Sequence, residues 1–208
     1  MEILVYVGIF AMLYIVIRFT RELFGMGANA TRRILHTAGG IVIWSMPFFI
    51  SATEIAILMV VFAATFLVTK KTGFMKSVHH VPRKTWGELW YPLTIAVMAF
   101  VALPDAIQAF QYGVLVLAIA DPMASLIGLN IPSTKIKVWG GTKTVLGTLT
   151  FFLVACGIGI LMMQGAPLGI WAPLIAAVVL AFLEFALSYG LDNIAIMVGG
   201  VLLYTVFL

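Results

Sequence analysis

Lys143 is followed by TVLGTLTFFLVACGIGILMM, residues 144–163, a run without one charged side chain. A helix needs about 20 apolar residues to cross the hydrocarbon of a bilayer, and this run supplies them. Comparable runs recur at roughly 2–17, 34–50, 52–69, 87–103, 106–128, 168–187 and 192–208. Composition agrees, since 63% of the 208 residues are hydrophobic and 10% are charged, where a soluble globular chain carries about 25% charge. The runs are continuous and show no regular alternation. Of the two structures that satisfy the backbone inside lipid, helices therefore fit this pattern and a closed barrel does not. The expected fold is an all-α integral membrane protein, a bundle of about eight transmembrane helices forming a single polytopic domain over 1–208.

All twelve Lys and Arg residues fall in three gaps between those runs. Residues 18–33 hold Arg18, Arg21, Arg32 and Arg33, residues 70–84 hold Lys70, Lys71, Lys76, Arg83 and Lys84, and residues 135–143 hold Lys135, Lys137 and Lys143. Basic loops are retained in the cytoplasm, so the gaps after the first, third and fifth spans are expected inside and the N-terminus outside. Glu2 is acidic where a signal peptide would be basic, and Arg18 and Arg21 follow the apolar run, so the first segment is expected to remain as a span. The net charge of +4 is accounted for by loop retention and points to no nucleic acid. The lone Cys156 sits inside an apolar run as a small core residue.

Five of the eight acidic residues, Glu22, Glu88, Asp121, Glu184 and Asp192, are predicted at the same face as the bases, with Glu2, Glu54 and Asp105 on the other. Ionised groups embedded near helix ends are paired, hydrated or functional. Asp121 ends an apolar run and precedes Pro122, which lacks an N–H and is expected to open the helix into a polar cup. Ala120, Ala124 and Gly128 form a small-residue stripe that admits a close helix neighbour, with Asp121 and Ser125 on an adjacent face.

Trp139-Gly140-Gly141-Thr142-Lys143-Thr144 resembles a phosphate loop superficially, but a Walker A sequence places glycine directly before the lysine, where Thr142 stands. Two glycines still allow backbone amides to curl into an anion nest, with Lys143 adding charge and Thr144 opening the next helix at its positive end. A plain helix cap with a headgroup lysine is the alternative. His79 and His80 do not share a helix face and have no further ligand nearby, so they read as solvated loop residues rather than a zinc site. Arg83 and Lys84 beside Glu88 fit either a phosphate clamp or an interfacial salt bridge. Gly190 is expected to end the seventh span and to deliver Glu184, Asp192 and Asn193 to the face of Asp121 and Lys143. Oxygen ligands with a lysine at a membrane interface suit hydrated Mg²⁺ and a polyphosphate.

These segments together resemble the membrane kinases that include dolichol kinase, phytol kinase and CTP-dependent diacylglycerol kinase, which are related to phosphatidate cytidylyltransferases. Arg32-Arg33-Ile34-Leu35-His36 through Gly40 is similar to the family's Arg-Lys-x-x-His-x-x-x-Gly, and Arg83 through Glu88 to its Arg-x-Ser/Thr-x-Gly-Glu. Asp121 through Gly128 resembles Gly-Asp-x-x-Ala-Ser-x-x-Gly, Lys143 through Thr148 resembles Lys-Ser/Thr-x-Glu-Gly-Ser, and Glu184 with Asp192-Asn193 resembles the closing Glu-Ala…Asp-Asn. Ala120 replaces the glycine before Asp121, and Leu146 replaces the family glutamate, a place that Glu88 or Glu184 would fill.

The resemblance implies transfer of a γ-phosphoryl group, typically from CTP, to the hydroxyl of a membrane lipid alcohol, with Mg²⁺ as cofactor. It implies a catalytic set of Asp121, Glu88, Glu184 and Lys143, with Asp121 and Asp192 on the metal and Glu88 or Glu184 positioning or deprotonating the alcohol. Nucleotide and phosphate contacts would come from Arg33, His36, Arg83, Lys84, Lys135, Gly140, Gly141, Lys143, Thr144 and Asn193. Phytol, polyprenols, dolichol and related isoprenoids all remain open as acceptors. Cytidylyl transfer to a lipid phosphate is the alternative chemistry. Transport is disfavoured, because transporters place coupling sites near the midplane and these acids gather at one face.

Overall fold

The computed structural model describes residues 2–72, 86–103, 105–139 and 141–208. His79, His80, Arg83, Lys84 and Gly140 lie outside the described residues.

Among the described residues, eight helical rods appear where the apolar runs were placed. They are α1 (Glu2–Phe24), α2 (Ala28–Ser45), α3 (Ala52–Thr72), α4 (Gly87–Ala102), a long fifth rod, α7 (Val145–Met162), α8 (Trp171–Ala186) and α9 (Leu191–Phe207). The fifth rod joins α5 (Ile107–Leu115) to α6 (Asp121–Asn130) through a π-turn at Val116–Ala120. Four rods, α1, α3, the fifth and α7, are long and apolar enough to cross a membrane, while α4, α8 and α9 are shorter apolar helices. Large apolar side chains such as Leu4, Val101, Phe182 and Val206 face outward, as a bundle dissolved in lipid requires.

The fifth rod is the centre of the bundle. Phe110, Tyr112, Val114 and Leu117 are fully buried, enclosed by α2, α4, α7 and α9. At the other extreme only Tyr6 and Ile17 of α1 are buried. Small residues set the closest crossings: a Cβ at Gly128 of α6 would lie 2.5 Å from Thr144 Oγ1 and 3.5 Å from Gly147 Cα, so the stripe read from the sequence does admit the start of α7.

Two local expectations are corrected. Pro122 does not open the fifth rod. Its ring would clash with the carbonyl one turn back, and the π-turn directly upstream takes up that strain by widening the helix. Gly190 does not end α8, which stops at Ala186; it precedes α9 with φ +94°, where a Cβ would sit 2.6 Å from the backbone of Gly87. That position needs glycine for its conformation and for the close approach.

The segment after α6 contains the bundle's one described sheet. Lys135–Val138 (β1) pairs antiparallel with Gly141–Thr144 (β2), with Ile136 opposite Lys143 and Val138 opposite Gly141. Gly141 is thus in a strand rather than an anion nest, because the alternation Lys-Ile-Lys-Val supplies a strand partner for it.

Candidate active site

Lys143 enters the bundle from β2. Its ammonium donates a hydrogen bond to Glu184 Oε1 in the last turn of α8 and lies 3.5 Å from Asp192 Oδ2 in the first turn of α9. Burial alone would pull this ammonium toward neutrality, but Glu184, Asp192 and Asp121 outweigh it and hold Lys143 above its ordinary pKa. Asp121, at the start of α6, is therefore close enough to share the field of this cluster although it comes from a different rod.

Around the cluster, hydrogen bonds fix the chain ends that deliver it. Asn193 Nδ2 donates to Gly87 O at 3.1 Å, and Trp86 N–H donates to Tyr189 O at 3.3 Å, which clamps the α8–α9 turn to the start of α4. Tyr189 itself takes a left-handed φ of 60°, uncommon for a residue with a Cβ. Glu88, one residue into α4, lies 3.9 Å from Lys70 of α3. From α2, Arg33 Nη2 donates to Ser125 Oγ at 2.6 Å, one turn beyond Asp121.

His36 explains how the π-turn is completed. In the wider π register the N–H that Leu117 O would accept belongs to position 122, where proline has none. His36 Nε2 donates to that carbonyl at 3.0 Å, while the His36 ring packs on Tyr91 with centroids 4.1 Å apart. This nitrogen is occupied by the backbone, so His36 holds the turn before Asp121 in place.

Most of these groups border one cavity of about 670 Å³, although Lys70, Trp86 and Leu117 do not line it. Its charged end is lined by Arg33, Glu88, Asp121, Lys143, Glu184 and Asp192. Thr144 and Asn193 also reach it. Its other arm runs between α1, α2 and α3, past Phe66, Phe62, Phe10, Ile43 and Met59. Lys135 does not line the cavity, and neither does Leu146, whose N–H donates to Ser133 Oγ at 3.0 Å. Among the described residues, Glu184 Oε2 and Thr148 Oγ1 are buried without a hydrogen-bond partner, and both belong to residues on the cavity wall. No three His, Cys, Asp or Glu side chains among the described residues form a complete metal cage.

Sequence reasoning found most of the charged end and missed Thr148, Tyr91 and Tyr189. Thr148 had a signal, standing where the related motif has serine; Tyr189 lies inside the marked stretch from Glu184 to Asn193 but is not itself a motif letter, and Tyr91 lies just beyond the marked stretch that ends at Glu88.

Fold and site define a polytopic helical membrane protein with a charged cluster that opens into an apolar channel. The chain is 29% identical over 189 residues to the phytol kinase of Synechocystis sp., covering 85% of this chain and 78% of that protein. That relationship supports the phytol kinase and dolichol kinase family, which the motifs resemble. No family model matches the chain, and no solved structure matches it.

Proposed function

We propose that the protein is a lipid-alcohol kinase that transfers the γ-phosphoryl group of a nucleoside triphosphate, CTP by family resemblance, to a membrane isoprenoid alcohol. The observation that carries this reading is the single cavity with a charged end and an apolar arm, which suits a reaction between a polyphosphate and a hydrocarbon-tailed alcohol. The similarity to a phytol kinase supports the same chemistry.

In this reading Lys143 exchanges its carboxylate partners for phosphate oxygens, and Arg33 adds charge from α2. Among the described lining residues the acidic Glu88, Asp121, Glu184 and Asp192 outnumber the basic Arg32, Arg33 and Lys143, and a polyphosphate would bring further negative charge that a divalent cation offsets. Asp121 and Asp192 would hold Mg²⁺ together with the phosphates, which suits an ion that takes one or two carboxylates and keeps several waters. Bound there, the metal supplies neutralisation of the charge on the transferred group. The alcohol oxygen forms the new bond to the γ-phosphorus, the bond from that phosphorus to the β–γ bridging oxygen breaks, and the nucleoside diphosphate leaves. The hydroxyl proton passes to a carboxylate, and Glu184 is favoured because Oε2 has no partner. The basic loops would set this face in the cytoplasm.

The test is incubation of the purified protein in lipid with γ-labelled CTP or ATP and a panel of alcohols. Label recovered in the lipid is the expected result. Label released as pyrophosphate indicates cytidylyl transfer instead, and no alcohol-dependent label sinks the proposal.

A further inference from the structure

The apolar arm has a construction that the chemistry of phosphoryl transfer does not require. Along α2 it runs from Arg33 at the charged end to Ile43, about 15 Å at the helical rise of 1.5 Å per residue. On α3 it descends from Phe66 through Phe62 to Met59, and on α1 from Tyr14 through Phe10 to Val7. Near the inner end Phe10 and Phe62 meet edge to face with centroids 4.5 Å apart. A Cβ on Gly39 would lie 3.5 Å from Phe10 Cε1, so all three helices converge on this aromatic pair. Among the described lining residues, Val7, Ile43 and Met59 lie beyond its level.

We infer that this arm holds the hydrocarbon tail of the acceptor alcohol and that the Phe10–Phe62 pair sets the tail length it receives. The inference rests on the lipid-alcohol kinase reading and adds to it the residues that choose among acceptors. A tail is the occupant because the arm is continuous with the charged end, so an alcohol whose hydroxyl meets Glu184 can lay its chain along the apolar side chains of the arm. Access is lateral. Among the described elements α1 packs mainly against α2 and, more lightly, α3, with Tyr6 and Ile17 its buried residues, so it is the wall past which a lipid enters from the bilayer. The whole cavity, charged end included, holds about 670 Å³, so a polyprenol must leave most of its length in the membrane.

Two measurements test this. The first is the profile of kcat/KM over farnesol, geranylgeraniol, phytol and a polyprenol. Phe62→Ala and Phe10→Ala are expected to shift the ratio of long to short acceptors upward by about ten-fold or more, the scale on which hydrophobic pockets discriminate. Phe62→Trp shifts it the other way. An unchanged profile in active variants overturns the inference while leaving the kinase reading intact. The second is photolabelling of the unmodified protein, without nucleotide, by a prenyl alcohol carrying a diazirine at its tail end. Labels at residues 7–14 and 59–66 that unlabelled alcohol displaces support the arm as the tail site whether or not turnover is seen. Labels confined to outward-facing positions, or labels that the alcohol does not displace, overturn it. Loss of all phosphorylation in the wild type alone would strike the kinase reading instead.

Discussion

Lys143 touches two carboxylates in the resting site, and that double pairing makes its removal informative. In Lys143→Ala, Glu184 and Asp192 lose their shared cation in a buried place, and, in the proposed reaction, the transferred phosphoryl would lose a positive partner. The expected result is a rise in nucleotide KM with a fall in kcat, together about 10²–10³ in kcat/KM, with partial rescue by Lys143→Arg. The pH dependence has a definite sign. Because Lys143 is held above its ordinary value of 10.5, its charge is complete at neutral pH and is lost only as pH rises through the higher native value. Any alkaline loss of activity below about pH 10 therefore belongs to another group and persists in Lys143→Arg. Leu146 supplies the contrast. It does not line the cavity, so Leu146→Glu restores the family's letter without adding a carboxylate to the site. Unchanged metal dependence and nucleotide preference are expected, and a change in either would mean that position 146 turns inward in the working enzyme.

At the scale of elements, the position of Lys143 depends on how closely α6 and α7 cross. Gly128→Val would collide with Thr144, the residue that both follows Lys143 and caps α7 by accepting from Gly147 N–H at 3.1 Å. Overpacking of this kind costs about 1–3 kcal/mol and here also displaces β2, so the variant should lose both melting temperature in detergent and most of its turnover. Gly157→Val, on α7 where an added Cβ meets nothing within 4 Å, should lose neither. Equal behaviour of the two variants would break the link between the crossing and the site. The stripe Ala120, Ala124 and Gly128 was readable because four-residue spacing of small side chains has one structural meaning. The π-turn was not, since a proline in an apolar run signals that a ladder bond is lost but not how the backbone compensates. The hairpin was hidden by its glycines, which drew attention from the two-residue alternation of Lys135 to Val138. The apolar arm left no trace at all, because Phe10 and Phe62 read like any lipid-facing aromatic.

For the whole molecule, positive loops and carboxylates were expected at one face, and the structure joins the relevant pieces physically. Lys143 ties the hairpin to the α8–α9 turn, and Asn193 ties that turn to the start of α4, so these three connections share one end of the bundle. Asp105 precedes the fifth rod, whose 24 residues place it about 36 Å from the hairpin end. The prediction is made in a Cys156→Ala background, which removes the sole thiol. Lys137→Cys and Tyr189→Cys should resist an impermeant thiol reagent applied outside intact cells and react after permeabilisation, whereas Asp105→Cys should react without it. The first half tests the cytoplasmic orientation that the basic loops indicate. The second tests the span count, because an odd number of crossings must separate position 105 from position 137. Reaction of 137 and 189 with 105 protected would invert the protein and put the nucleotide site on the wrong side of the membrane for a cytoplasmic donor. Reaction of 137 with 189 protected would do more damage, since Lys143 and Asp192 could not then be neighbours.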